Sequence, residues 1–345
     1  MNTEKRLWYE ADYFSKFACK CGDCRHACCK GWKIAVSENE YFRLIGLECS
    51  EKLHEKLESA FCIPDFPTTG RYRMIEPDWL GQCHMLDTDG LCMLQKECGE
   101  GVLPEVCRVY PRSYKNENGN LQACCSSSCE RVVEMLMEED RLRFVYQKLT
   151  AKAEINEEVA ADYSELGRKT IDILQDRSIT LRERMLKICS ESGYRPEADI
   201  SIKAVIDIID RLLEESDTLK EYAGEIFRLN EFSEGEIREK YFADRILFEK
   251  NYPEWSRYFE NILCNNILYS DFPCTDRRIS ESESCSGLCL QFILMKFICA
   301  MYTHDKPDKN AFVDCVSGVY HLVEHTSFYY NAHILVKNPP DLLWL

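Results

Sequence analysis

Cysteine thiols are the most abundant candidates for metal-binding or reactive side chains in this sequence. The chain has 345 residues and 21 cysteines, and 14 of these lie between Cys19 and Cys129. All but Cys49 and Cys62 fall in three groups: CKCGDCRHACCKGW at 19–32, CHMLDTDGLCMLQKEC at 83–98 with CRVYPR at 107–112, and CCSSSC at 124–129. Thiolates bind zinc and iron–sulfur clusters, and burial alone would not concentrate thiols in loops rich in Gly and Pro. We therefore predict that four or more of these 14 cysteines bind a metal.

The spacing of the cysteines leaves the identity of the metal open. Only Cys21 and Cys24 form a CxxC, whereas a zinc ribbon has two such pairs about 15 to 20 residues apart. Zinc and an iron–sulfur cluster both accept four thiolates that come from separate loops. Cysteines outside the three groups, such as Cys189 and Cys315, are expected to be small buried hydrophobic residues.

Composition limits the compartment and the partners of the protein. The first residues, MNTEKRLWYEADYF, mix charges of both signs without an apolar run, which predicts a cytoplasmic protein with reduced thiols and not an exported disulfide scaffold. A net charge of −16 with a pI near 5.0 argues against a nucleic-acid partner. The most apolar stretch, 288–302, is interrupted by Gln291 and Lys296 and is short for a membrane span, so it predicts a buried helix.

Hydrophobic periodicity divides the chain near residue 130. We predict a mainly α fold, in which an irregular cysteine-rich metal-binding N-terminal region with short strands packs on a C-terminal helical region. The predicted domains are the cysteine-cluster region, 1–130, and the helical region, 131–345. The second of these should contain seven or eight helices, and helical spacing is clearest at 202–213.

Local signals predict where several elements begin. Capping-box pairs mark helix starts at Thr180 with Glu183 and at Ser233 with Glu236, and Pro253 suits the first position of another helix. The cysteine-rich region should hold two helices and one short strand, which we place after Ser37, at 50–60 and at 71–76.

Six segments of the chain resemble one family of enzymes. These are, in order, CxxxCCKGW at 24–32, QCHMLDTDGLC at 82–92, VLPEVCRVYPR at 102–112, SSSCE at 126–130, FENILCNNILYSDFP at 259–273 and VYHLVEHTSF at 319–328. In these segments the chain resembles the flagellin lysine-N-methylases. The resemblance implies transfer of a methyl group from S-adenosylmethionine to lysine ε-amino groups of flagellin, in an enzyme that carries a 4Fe-4S cluster.

The resemblance also implies where the metal is bound. It carries the cysteine pattern of the family onto Cys24, Cys28, Cys29, Cys83, Cys92, Cys107 and Cys129. One cluster needs four ligands. We expect the three in the middle of the motif, Cys83, Cys92 and Cys107, to be ligands. One or more further ligands should come from the adjacent pair Cys28 and Cys29, and zinc remains the alternative to the cluster.

The pocket for S-adenosylmethionine has no recognisable motif. No GxGxxG-like loop follows a strand pattern, and the CxxxCxxC of radical enzymes is absent from the sequence. Trp32 and Trp79 are candidates for stacking on the adenine, with core packing as the alternative role. Arg108 and Tyr110 flank Cys107, where they could contribute to catalysis or only support the metal site.

Two acidic or basic side chains near the C-terminus are the remaining catalytic candidates. Glu324 and His325 lie in a segment that resembles the family, and His325 shares a helix face with His321. The alternative role is a polar helix face. For the whole protein, the alternatives to the methyltransferase are a non-catalytic zinc- or iron-binding structural or interaction protein and a redox sensor that uses vicinal thiols.

Overall fold

The computed structural model describes residues 5–25, 28–117, 120–150, 157–192, 202–213, 217–223, 226–273 and 279–335. Within them the chain forms two compact units. The cysteine-rich unit is Ala18–Tyr110, and the helical unit combines Met1–Phe17 with Pro111–Leu345. Residues 111–130 therefore belong to the helical unit by compactness, whereas the predicted domain boundary at residue 130 stays a prediction.

Strands are confined to the first 150 residues of the described chain, and helices dominate the remainder. The strands are β1 (Lys5–Ala11), β2 (Ile34–Val36), β3 (Phe61–Cys62), β4 (Arg73–Ile75), β5 (Arg112–Glu117), β6 (Asn120–Cys125) and β7 (Phe144–Thr150). The helices are α1 (Glu38–Ile45), α2 (Glu51–Ala60), α3 (Met93–Cys98), α4 (Glu105–Val109), α5 (Glu130–Glu138), α6 (Glu157–Leu174), α7 (Leu181–Glu191), α8 (Ile202–Leu213), α9 (Asp217–Ala223), α10 (Glu234–Asn251), α11 (Trp255–Tyr269), α12 (Glu281–Thr303), α13 (Lys309–His325) and α14 (Phe328–Leu335). The predicted mainly α class with short N-terminal strands is confirmed.

The cysteine-rich unit is built on the local signals found in the sequence. Ser37 caps α1 in a complete capping box with Glu40, and Ser50 caps α2 by accepting a hydrogen bond from the amide of Leu53. The predicted strand is β4, which pairs antiparallel with both β2 and β3. A small core beneath these elements contains Val36, Leu44, Leu53, Leu57, Ala60, Ile75, Met85, Met93, Leu94 and Leu103.

The helical unit contains a four-stranded sheet that the sequence did not predict. Its strand order is β5-β6-β1-β7, with β1 parallel to β6 and antiparallel to β7. Strand β7 lies beyond residue 130, in the region that was predicted to be mostly helical. Charged and polar residues interrupt the strands, as in KRLWYEA and RSYKNE, and this hides the alternation by which strands are recognised.

The helices of this unit begin largely where the capping signals placed them. Thr180 and Ser233 form complete capping boxes, and 202–213 is α8. The prediction for Pro253 is wrong by two residues, because Glu254 is the N-cap and α11 begins at Trp255. The described part of 131–345 holds most of α5 and the nine helices α6 to α14, where seven or eight helices were predicted.

Helix α12 is the longest helix of the described chain. It is 23 residues long, and an 18-residue window within it has a mean hydropathy of 1.6. By length and composition it could cross a membrane, so the prediction that this stretch is too short is wrong. However, 94% of that window is buried inside the protein, as expected of the core helix of a folded domain.

Helices α9 and α13 approach each other at Gly318. A Cβ at this position would lie 2.5 Å from the ring carbons of Tyr222. Gly318→Ala is therefore expected to lower the free energy of unfolding by about 1–3 kcal/mol, because the added methyl overpacks this contact. The matched control is Gly235→Ala in α10, where nothing lies within 4 Å of the added Cβ. Equal urea-unfolding midpoints for the two variants would contradict the prediction.

Candidate functional site

The first candidate site gathers the predicted thiols of the cysteine-rich unit. The amide of Cys83 donates to the carbonyl of Cys29 over 2.7 Å, and Lys30 forms an isolated bridge with Gln82. These backbone contacts hold the first cysteine group alongside the start of the second. The adjacent residue Cys28 is exposed and Cys29 is half-buried.

A tight turn returns the chain from Cys83 to Cys92. Leu86 bridges to Cys92, and the amide of Gly90, at φ +78°, donates to the carbonyl of Asp87 over 3.0 Å. Only a glycine adopts this left-handed backbone without strain. Cys83 and Cys92 are half-buried and pack against the small core of the unit.

Helix α4 adds a further thiol, Cys107, which is exposed. The amide of Glu105 at the start of α4 donates to the carboxylate of Glu40 over 2.6 Å, and Arg43 donates to the carbonyl of Leu103 over 3.3 Å. Helix α1 thereby fixes the segment that carries Cys107.

The thiols of Cys28, Cys29, Cys83, Cys92 and Cys107 are electrostatic neighbours. A hydrogen bond between the adjacent pair lowers the pKa of Cys28 and raises the pKa of Cys29. Desolvation, followed by repulsion from Cys83, Cys28 and Cys92, raises the pKa of Cys107. Desolvation also raises the pKa of Cys83 and of Cys92. The protein alone thus opposes the joint ionisation of these thiols, and a bound cation would favour it.

The type and number of these donors fit a four-thiolate metal group. Among the described residues, no three His, Cys, Asp or Glu side chains already stand in an arrangement that would hold an ion. Cys24 is half-buried after a short 3-10 turn in the same unit. Cys129 belongs to the helical unit, where it is the N-cap residue of α5.

The structure brings two of the predicted aromatic residues together beside this thiol cluster. The ring of Trp32 packs edge-on against the ring of Tyr110 with centroids 5.5 Å apart, and the Trp32 Nε1 donates to the carbonyl of Cys28 over 2.6 Å. Trp79 is 89% exposed, so core packing is wrong as its role. Arg108 is exposed on α4.

The second candidate site lies in the helical unit and joins Glu324 and His325 to a serine-rich loop. The Ser126 hydroxyl donates to Glu324 Oε2 over 2.5 Å and lies 3.2 Å from His325 Nε2. The Ser128 hydroxyl lies 2.8 Å from the same His325 nitrogen. We call these four residues the Ser–Glu–His cluster.

Helix α11 supports the cluster with two buried asparagines. Asn266 Nδ2 donates to Glu324 Oε1 over 2.9 Å. Asn265 Nδ2 donates to the carbonyl of Cys125 and to the hydroxyl of Ser127, each over 2.9 Å, and its Oδ1 accepts from the hydroxyl of buried Tyr13. The loop between β6 and α5 is therefore fixed from both sides by side-chain hydrogen bonds.

Desolvation shifts the two titratable groups of the cluster in opposite directions. It raises the pKa of Glu324 to about 7, although Ser126, Asn266 and the amides of Ser128 and Ser127 all donate to the carboxylate. It lowers the pKa of His325 to about 4. At neutral pH His325 is uncharged and Glu324 is divided between its two protonation states, which suits a group that accepts and releases a proton. Although its ring is desolvated, the residue His325 as a whole keeps an exposed surface, so the cluster reaches the protein surface.

The sequence pointed to Glu324 and His325 but missed their partners. Ser126 and Asn266 lie 198 and 58 residues away from Glu324 along the chain, and no local spacing connects them. The available signal was the set of segments that resemble the family, because SSSCE, FENILCNNILYSDFP and VYHLVEHTSF each contribute to the cluster. Arg108 and Tyr110 belong to the cysteine-rich unit and not to this unit.

Comparison with known proteins first defines the class of each part. Residues 20–126 match the family described as "Putative zinc- or iron-chelating domain", and residues 190–336 match the family described as FliB lysine N-methylase C-terminal domain. Each of these two parts of the chain is thus similar to a described family, the first to a metal-chelating domain and the second to the C-terminal domain of a lysine N-methylase. The resemblance to the flagellin lysine-N-methylases is confirmed.

Curated relatives agree with these family matches. The chain is 30% identical over 129 residues to the lysine-N-methylases of Salmonella typhimurium and Salmonella choleraesuis, and this covers 36% of the chain and 32% of each relative. It is 29% identical over 129 residues to the flagellar biosynthetic protein FliU of Salmonella muenchen, covering 75% of that protein. The match thus spans about a third of the length of the lysine-N-methylases. No solved structure matches the chain.

Proposed function

We propose that this protein is an S-adenosylmethionine-dependent lysine N-methyltransferase that acts on flagellin in the cytoplasm. The names of its relatives and the methylase-type C-terminal domain support this activity. In this proposal the cysteine-rich unit holds a 4Fe-4S cluster, with zinc as the alternative. A flagellar substrate is consistent with the name of the FliU relative.

The observation that carries the proposal is the convergence of three family-like segments on the Ser–Glu–His cluster. A purely structural helix face would not need a carboxylate that is desolvated and surrounded by donors from α11 and the serine-rich loop. Perturbed titratable groups at the protein surface are typical of sites where protons are transferred. We therefore place the target lysine at this cluster.

The chemical task of the cluster is to make the lysine amine neutral. A lysine ammonium has a pKa near 10.4 and no lone pair with which to attack. S-adenosylmethionine, when bound, supplies the electrophilic methyl group. The ionised Glu324 carboxylate accepts a proton from the ammonium and leaves a neutral amine with a free lone pair.

The other residues of the cluster, and the side chains that contact it, orient the reacting groups. Asn266 holds one carboxylate oxygen of Glu324 and Ser126 holds the other. Uncharged His325 and the Ser128 hydroxyl provide further lone pairs that can accept from an incoming ammonium. Asn265 and Tyr13 do not contact Glu324 in this arrangement but position the serine-rich loop through hydrogen bonds.

The metal belongs to the thiols of the cysteine-rich unit. Cys83, Cys92 and Cys107 with Cys28 or Cys29 supply the four thiolates that one cluster needs, and Cys24 and Cys129 remain further proposed ligands. A bound metal would hold these loops together, since the unit has only short strands and a small core. Exposed Trp79, together with Trp32, is the proposed surface for the adenine, whereas Arg108 and Tyr110 remain proposed catalytic groups.

The pH dependence of methyl transfer should follow the ionisation of Glu324. The rate is expected to rise with pH through about 7 and then to remain constant up to about 9, because Glu324 must be ionised while the lysine is still protonated. His325 does not contribute in this range because its pKa is about 4. The measurement is the single-turnover rate from pH 5.5 to 9.5. A rate that climbs tenfold per unit up to pH 9.5 would instead indicate deprotonation by solvent.

Binding of S-adenosylmethionine separates the enzyme from a non-catalytic metal module. In metal-loaded protein the ligand should raise the melting temperature in a saturable way, since a ligand at about 100 times its Kd stabilises the folded state by about 2.7 kcal/mol. ATP is the control for non-specific binding of an adenine. A melting temperature that S-adenosylmethionine leaves unchanged would favour the structural or interaction protein.

A further inference from the structure

A buried pair of thiols in the helical unit stands apart from both candidate sites. Cys189 on α7 and Cys289 on α12 are 3% and 0% exposed. Their Sγ atoms lie 2.9 Å apart, although the two residues are 100 positions apart in the sequence. This is a closer approach than that of Cys299 and Cys315, whose sulfurs are 3.5 Å apart.

The distance between these two sulfurs favours a disulfide between them, and a third thiol lies close by. Cys285 precedes Cys289 by one helical turn on α12 and is also buried, so a third thiol lies on the same face of the helix. Ser192 donates to the carbonyl of Cys189 over 2.8 Å and also interacts with the thiol of Cys285. A disulfide has its sulfurs about 2.0 Å apart, so the Cys189 and Cys289 sulfurs need to move by less than 1 Å each.

We propose that Cys189 and Cys289 are a dithiol that hydroperoxides oxidise to a disulfide, which joins α7 to α12. In the first step one thiolate attacks hydrogen peroxide, an S–O bond forms, the O–O bond breaks and hydroxide leaves, which takes up the proton released by that thiol to become water. In the second step the other thiolate attacks this sulfur, the S–S bond forms, the S–O bond breaks and hydroxide leaves to become water. Two thiols lose two electrons and the peroxide gains them.

The disulfide is expected to change stability more than it changes structure. It closes a long loop, which restricts the unfolded chain, while the native sulfurs are already close enough to avoid strain. The hydrogen bond with Cys189 and burial raise the pKa of Cys289, which disfavours its thiolate form. The pair is therefore oxidised more slowly than exposed thiols such as Cys107. It forms its disulfide only during sustained exposure to the oxidant.

Peptide mapping of the full-length, metal-loaded protein tests the proposal. After exposure to hydrogen peroxide, free thiols are alkylated in denaturant and the digest is analysed without reduction. We expect a peptide that links Cys189 to Cys289, its disappearance after dithiothreitol, and a higher melting temperature for the oxidised protein. Complete alkylation of Cys189 and Cys289, or linkage of either one to another cysteine, would overturn the proposal.

Two variants make the assignment specific. Cys189→Ala should abolish both the linked peptide and the peroxide-dependent rise in melting temperature. Cys285→Ala removes the neighbouring thiol on the same helix face and should retain both effects. Loss of the linkage in Cys285→Ala would show that this thiol is the partner and would contradict the assignment. If Cys189→Ala fails to fold, the map of the unsubstituted protein still decides the question.

Discussion

Glu324→Gln should lower the single-turnover rate of lysine methylation by about 10²–10⁴-fold, the usual contribution of a general base. Glutamine keeps an oxygen for the hydrogen bond from Asn266 and an amide group that can donate to Ser126, so the fold should persist. It cannot accept a proton from the lysine ammonium. The rate of the variant should then rise with pH up to about 9, because only solvent removes the proton.

The matched control for this variant is Asp314→Asn. Asp314 lies on the same helix, α13, and is half-buried like Glu324, and the substitution removes the same charge. It should leave the methylation rate within about twofold, since Asp314 is outside the Ser–Glu–His cluster. Equal rates for Glu324→Gln and the unsubstituted protein, at unchanged stability, would rule out Glu324 as the base.

Serine at Cys83, Cys92 or Cys107 is expected to abolish metal loading. A serine hydroxyl is not ionised at neutral pH and is a hard ligand, whereas zinc and iron–sulfur clusters are held by soft thiolates. Because metal binding contributes to folding, loss of a metal present at about 1,000 times its Kd would destabilise the cysteine-rich unit by about 4 kcal/mol. The measurements are metal and acid-labile sulfide per chain and the melting temperature of each variant.

The control for these variants is Cys62→Ser in the same unit. Cys62 is half-buried at the end of β3, and the thiol interacts with Glu76 instead of the five clustered thiols. Loading should stay at the unsubstituted level in this variant. About four iron and four sulfide per chain would support the cluster, and stoichiometric zinc without sulfide would support the alternative. A variant at Cys83, Cys92 or Cys107 that loads fully would contradict its assignment as a ligand.

Local signals predicted the helices well, because capping depends on neighbouring residues only. Ser37 and Thr180 cap their helices with the glutamates three residues later, as the sequence indicates. The four-stranded sheet was not predictable in this way. Strands β1 and β6 pair although they are more than 100 residues apart, with Trp8 opposite Leu121, and their polar residues obscure the period of two.

The candidate sites show the same difference between local and long-range information. The thiols of the metal site are recognisable in the sequence by residue type alone. The Ser–Glu–His cluster is not, because serines and asparagines are common in ordinary turns and helices. Ser126 and Asn265 gain meaning only when the fold brings the serine-rich loop to α11 and α13.

The central claim is that this chain methylates lysine side chains, and direct methyl transfer tests it best. Metal-loaded protein, purified without oxygen, is incubated with flagellin and S-adenosylmethionine, and the flagellin is analysed by peptide mass spectrometry. We predict methyl groups on lysine ε-amines, with S-adenosylhomocysteine formed in equal amount and with both products formed about 10²–10⁴-fold more slowly by Glu324→Gln. Unmodified flagellin after incubation with fully metal-loaded, folded protein would contradict the account.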